Sequence, residues 1–161
     1  MVNQLKGKNM SNTQFDDTVG FVMTKDPFTI GSSAPVSAAL QTMIEHDIGS
    51  VIVVKTDSAL EEPLGIITER DVTRRSLDPT KEMAIYDKPV SELMSQPLIT
   101  VPPATPVWDA FEIMVTKKIR RLPVVDGRHL IGIVTERDLF KWVLRAFYQP
   151  NIPERLRKFL E

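Results

Sequence analysis

The chain is a tandem duplication. Residues 22–72 lie over residues 93–139: VMTKDPFTI (22–30) falls on LMSQPLITV (93–101), APVSAALQTMIEHDI (34–48) on TPVWDAFEIMVTKKI (105–119), and GIITERDV (65–72) on GIVTERDL (132–139). The register is constant from Met23/Met94 to Val54/Val125. It then slips by four residues before Gly65/Gly132, where the first copy has a longer TDSALEEP loop. An insertion held in a polar turn leaves the packed elements untouched. Each copy, at about 50 residues, is one supersecondary unit too small to bury much of itself, so the two are expected to pack on each other.

Within each copy the periodicity changes in the same order. Val36, Ala39, Leu40, Met43 and Ile44 recur at helical spacing, as do Val107, Ala110, Phe111, Met114 and Val115, which predicts one helix with a single apolar stripe per copy. Thr105 followed by Pro106 marks a helix start. After each helix come a β-branched run (Val51–Val54, Leu122–Val125), a turn (Asp126-Gly127 in the second copy) and a second apolar run (Leu64–Ile67, Leu130–Val134). These read as two buried strands. A further helix follows each TERD, so the order per copy is short strand, helix, strand, strand, helix, and the class is mixed α/β. Met43, Met114, Phe111 and Trp108 read as core packing rather than ligand contacts.

Composition narrows the chemistry. With 20 Lys plus Arg against 21 Asp plus Glu, the net charge of -1 gives no global field for capturing nucleic acid or an anionic membrane, so neither is expected as a partner. The absence of cysteine excludes a disulfide scaffold and thiolate chemistry, and His46 and His129 alone do not make a metal centre. No apolar run reaches the length of a membrane span, and residues 1–19 lack the apolar core of a secretory signal; a cytoplasmic location is expected, with 1–19 an arm that is mobile or loosely docked. There is no P-loop, poised nucleophile or metal cluster, so no catalytic function is expected.

The motif that carries chemistry is the TERD of residues 68–71 and 135–138, which ends a strand and opens a helix. Free backbone N–H groups and the helix dipole favour an anion there. Two uses of the same atoms stay open. Thr68 with Asp71, and Thr135 with Asp138, have the spacing of a capping box; equally, a carboxylate can accept from two vicinal ribose hydroxyls while a Thr hydroxyl and nearby amides hold a phosphate or sugar oxygen. Identical motifs in both copies favour more than a cap. Arg120 and Arg121 stand at a strand start, where alternation turns one of them to a cleft; Lys117 and Lys118 suit a helix C-terminus.

These residues resemble the CBS (cystathionine-beta-synthase-type) domain, here as the tandem pair called a Bateman module. The likeness rests on the VMT.DPFTI and LMSQPLITV openings, the apolar helices, the IGSVIVV and IRRLPVV strands and both G-h-h-T-x-R-D motifs, over roughly residues 20–145. It implies a pair with pseudo-twofold symmetry, two small central sheets flanked by helices, divided as an arm (1–19), CBS domain 1 (20–78), CBS domain 2 (79–146) and a C-terminal helical tail (147–161). It also implies two clefts for an adenosine nucleotide, AMP, ADP or ATP, with no catalytic cofactor. Carried over residue by residue, Asp71 and Asp138 bind ribose, and Thr68 and Thr135 bind ribose or phosphate. The surroundings of Thr29 and Thr100, and the strand starts Ile48-Gly49-Ser50 and Ile119-Arg120-Arg121 with Pro123 beyond, form walls for adenine and phosphate. Arg70 and Arg137 assist with phosphate or pair with neighbouring acids, whereas Arg74 and Arg75 read as exposed helix charges or partner contacts. The sequence leaves open which cleft Arg120 and Arg121 serve.

The last helix, from Leu139 to Tyr148, is apolar on more than one face, and a second face needs a second partner. A homodimer through the helices is expected, with Trp142 or Phe147 near the contact, unless residues 153–161 fold back as an amphipathic cover. The expected function is a non-catalytic regulatory module that senses adenine nucleotides and acts in trans on an effector protein; the alternative is a structural or adaptor subunit with vestigial clefts.

Overall fold

Helical spacing and β-branched runs produce the elements in the expected order. A computed structural model describes residues 17–55, 62–76 and 83–147, without the side chains of 83, 84, 146 and 147. The expectations for the tail beyond residue 147, for the Phe147 contact and for most of the N-terminal arm lie outside the described residues. The elements of the first copy are α1 (Val19–Val22), β1 (Thr24–Lys25), β2 (Thr29–Gly31), α2 (Val36–Glu45), β3 (Ser50–Val54), β4 (Pro63–Thr68) and α3 (Glu69–Ser76). Two 3-10 turns (Met83–Asp87, Val90–Glu92) lead into α4 (Val107–Lys117), β5 (Arg121–Asp126), β6 (His129–Thr135) and α5 (Glu136–Phe147). Pro106 caps α4 from outside rather than opening it.

The apolar stripes are narrower than their spacing suggests. Val36, Ala39 and Met43 of α2 and Val107, Ala110 and Met114 of α4 are buried, but Ile44 and Val115, at matching positions, are 79% and 63% exposed. A short helix laid on a sheet buries only the face turned to it. Both helices end in a left-handed residue, Asp47 (φ 51°) or Lys118 (φ 56°), and the next amides return to the helix as Ile48 N–H to Met43 O and Ile119 N–H to Met114 O. The chain is thereby turned at the same point into β3 and β5.

The described residues form two three-stranded sheets, β2-β3-β4 and β1-β6-β5. The second contains a strand from the first copy: Thr24 and Lys25 pair antiparallel with Ile133 and Gly132. The exchange is reciprocal, because Ser95 bridges Ile66 on β4. Ahead of these strands, Val19 N–H bonds Thr105 O and Val107 N–H bonds Asp17 O, while Val90 N–H bonds Ala34 O and Val36 N–H bonds Lys88 O. Each repeat therefore sends its leading segment to the other, and the last residues of the arm, Asp17 to Val19, are docked by these bonds.

The described residues pack into three apolar clusters, two of them completed by this crossing. One, around Leu122, Val124, Leu139 and Trp142, is completed by Val19; its counterpart around Val36, Met43, Val53 and Ile67 is completed by Ile85, Val90 and Leu93 of the second copy. The third joins the sheets face to face through Ile52, Val54 and Leu130. Every residue from Val51 to Val54 is buried: alternation sends Val51 and Val53 to one cluster and Ile52 and Val54 to another. A one-residue irregularity at Val53/Val54 and at Val124/Val125 breaks the register in both hairpins. Trp142 is 2% exposed within this chain's own core, which removes it as a dimer contact; among the described side chains of α5, the large apolar ones that face outward are Phe140 and Leu144.

Candidate functional site

Each TERD stands where a central strand becomes a helix. Thr68 closes β4 and Glu69 opens α3; Thr135 closes β6 and Glu136 opens α5. The capping reading is realised in both. The Thr68 hydroxyl donates to Asp71 Oδ2 at 2.6 Å and the Thr68 amide donates to the same oxygen at 2.9 Å, while Asp71 N–H donates back to Thr68 Oγ1 at 3.2 Å. The second motif repeats these bonds at 2.6, 3.0 and 3.3 Å. All carboxylate bonds of the cap use Oδ2. Oδ1 stays outside it, and at Asp71 the Ser95 hydroxyl donates to it at 3.4 Å.

Two clefts open beside these motifs, of about 430 and 370 Å³. The first combines Thr68 to Asp71 with Ser95, Pro97 to Ile99 and Lys118 to Arg121 of the second copy. The second combines Thr135 to Arg137 with Thr24, Asp26 to Phe28 and Ile48 to Ser50 of the first. Each site is thus built from one motif and the leading segment and strand start of the other repeat. Arg121 is held over Gly49, where an added Cβ would lie 2.7 Å from its Nη2 and 3.4 Å from Glu69 Oε2. Burial lowers its pKa and the Glu69 charge opposes that; a guanidinium remains a cation at neutral pH. Arg120 Nε lies 3.7 Å from Glu136 Oε2.

A family model described as CBS domain matches residues 19–78 and again 90–145. The chain belongs to the CBS domain family. An uncharacterised protein of Methanopyrus kandleri is 38% identical to this CBS pair over 89% of the chain and 70% of its own length, and the chain spans 35% and 49% of the length of two Methanocaldococcus jannaschii relatives. Among solved structures, CBSX2 in complex with AMP has a TM-score of 0.70 at 26% identity, covering 82% of this chain and 99% of that one. The CBS domain pair of protein MJ0100, in complex with 5'-methylthioadenosine and S-adenosyl-L-methionine, has a TM-score of 0.68 at 26% identity, with 82% and 98% covered.

Within the CBS pair, most residues singled out from sequence converge. Thr68, Arg70, Asp71, Ile119, Arg120, Arg121 and Pro123 line the first cleft, and Ile48, Ser50, Thr135 and Arg137 line the second. Asp138 is not among the residues lining the second, although it is bonded to Thr135, which is. Thr29 and Thr100 are not among the lining residues; Phe28 and Ile99, one position earlier, are. Arg120 and Arg121 line both clefts. Sequence reasoning missed Arg74, which lines the first cleft and stands one turn beyond Arg70 on the same helix face. It also missed Phe28, whose ring stacks on His46 with centroids 3.9 Å apart. Among the described residues there is no cluster suited to a metal ion and no helix long and apolar enough to cross a membrane.

Proposed function

We propose that this chain is a non-catalytic, cytoplasmic regulatory module that binds an adenine nucleotide, AMP foremost with ADP or ATP as alternatives, and acts on an effector protein in trans. The observation that carries the reading is the division of labour in each motif carboxylate: Oδ2 secures the helix start, while Oδ1 lies outside the cap and keeps the capacity to accept from ribose hydroxyls, at Asp71 beside the Ser95 hydroxyl. The roles follow: Asp71 and Asp138 take ribose, Thr68 and Thr135 position them, and Arg70, Arg120, Arg121 and Arg137 take phosphate. The paired clefts and the AMP and S-adenosyl-L-methionine held by similar CBS pairs support an adenosine ligand. Binding acts by differential affinity: a ligand that favours one arrangement of the repeats shifts the population towards it.

Thermal unfolding with AMP, ADP, ATP, S-adenosylmethionine and NAD tests this. A ligand at 100 times its Kd stabilises by about 2.7 kcal/mol, and the rise in Tm is expected to fall in Asp71→Asn and Asp138→Asn. Asparagine keeps one acceptor for the cap but offers ribose an amide donor instead of a second acceptor. A second reading, an adaptor that binds a protein or its own copy through its helices, is favoured by the outward Ile44, Val115, Phe140 and Leu144. Folded protein whose Tm moves with none of these ligands at millimolar concentration would leave that reading in place.

A further inference from the structure

The two clefts share one pair of arginines. Arg120 and Arg121 line both, and the positions that match them in the first copy are Gly49 and Ser50, so the first repeat supplies no counterpart cation. Arg120 immediately precedes β5 and Arg121 opens it, which sets the two side by side where the clefts meet. Arg121 crosses Gly49 towards Glu69 of the first motif, whereas Arg120 turns to Glu136 of the second. The Arg120–Glu136 pair is 67% and 61% exposed, and surface pairs of that kind hold weakly enough to be exchanged for a ligand.

We propose that Arg120 and Arg121 form a single phosphate-binding position shared by both clefts, so that a phosphate-bearing ligand in one weakens the binding of a phosphate-bearing ligand in the other. This rests on the nucleotide reading above. The arginine fork matches phosphate; a second anion meets guanidiniums already engaged and a like charge nearby, within reach of unscreened repulsion. The first cleft fills first. Its lining holds Arg70, Arg74, Lys118 and the shared pair, five cations against Glu69 and Asp71, while the second has Arg137 and the shared pair, three cations against Asp26 and Glu136. A nucleoside without phosphate makes no demand on the pair, and two copies of it bind independently.

Calorimetric titration of the full chain with AMP and with adenosine tests the proposal, alongside Asp71→Asn, which weakens the first cleft, Asp138→Asn, which weakens the second, and the double variant Arg120→Gln/Arg121→Gln. The second AMP is expected to bind about fivefold or more weakly than AMP binds the second cleft measured alone in Asp71→Asn. For adenosine, the wild-type isotherm is the sum of the two single-cleft isotherms, and in the double variant the same additivity holds for AMP. In the wild type alone, raising salt from about 0.05 to about 0.5 M narrows the gap between the AMP steps and leaves adenosine unchanged, so the test survives a variant that does not fold. An additive AMP isotherm, or a gap equally wide for adenosine, overturns the shared position and leaves the nucleotide reading standing. Binding of neither compound overturns both.

Discussion

Thr68 and Asp71 hold a helix start and border a cleft with the same few atoms, and Thr135 with Asp138 repeats the cap beside the other cleft. Replacing Thr68 or Thr135 by Val removes the hydroxyl that gives and receives within the cap, and each change is expected to cost about 1 kcal/mol, read as a lower midpoint in denaturant. The two losses should add, since the motifs share no cap partner. At this scale the motif was legible because its spacing is itself a geometry. The residues that face the clefts were less so: Phe28 and Ile99 lie outside regular strands, where no alternation tells which side chain points inward, so the sequence points only to the surroundings of Thr29 and Thr100. Arg128 and Glu62 make a further residue-scale case. The Arg128 guanidinium donates to both Glu62 carboxylate oxygens at 2.6 Å, and this hydrogen bonding lowers the Glu62 pKa. A depressed carboxylate pKa stabilises fully above its unfolded value and ceases to as pH falls through the folded one. Glu62→Gln should therefore lower Tm slightly at neutral pH and match the wild type once both states are protonated in acid, which thermal scans across pH would show.

Among elements, the contacts least expected from sequence are those of β1 and its counterpart around Ser95. A two-residue strand carries no pattern that names its partner. The glycines held the missing signal. A Cβ on Gly65 would lie 2.6 Å from Met94 Sδ and 2.9 Å from Ser95 O, and one on Gly132 would lie 2.5 Å from Met23 Sδ and 3.0 Å from Thr24 O. The methionine can move, but the carbonyl belongs to the paired backbone. Gly65→Ala and Gly132→Ala are each expected to destabilise by roughly 1–3 kcal/mol through overpacking, measurable by urea unfolding, and a change below 0.5 kcal/mol would contradict the close approach. The helices were legible from their stripes, yet Ile44 and Val115 show where periodicity overreaches: it counts apolar residues and not the width of the surface beneath them. Trp142 erred the other way, assigned outward although it fills the second repeat's core; Trp142→Ala should cost about 3–5 kcal/mol, far more than truncating the exposed Phe140.

For the molecule as a whole, the two repeats are halves of one folding unit. The first lacks Ile85, Val90 and Leu93 unless the second supplies them, and the second lacks Val19 unless the first does. Fragments 17–76 and 83–147 are accordingly expected to show no cooperative thermal transition by circular dichroism when separate, and to regain one when mixed; an isolated fragment that melts cooperatively as a monomer would contradict this. The expectation that the copies pack together was legible in their length, and the crossed connection was not, because a repeat compares each copy with the other and is silent on which supports which. That connection carries a mechanical consequence. Each cleft takes its walls from both repeats, so any slip or rotation of one repeat against the other must reshape both clefts together, and neither can open or close as an independent hinge.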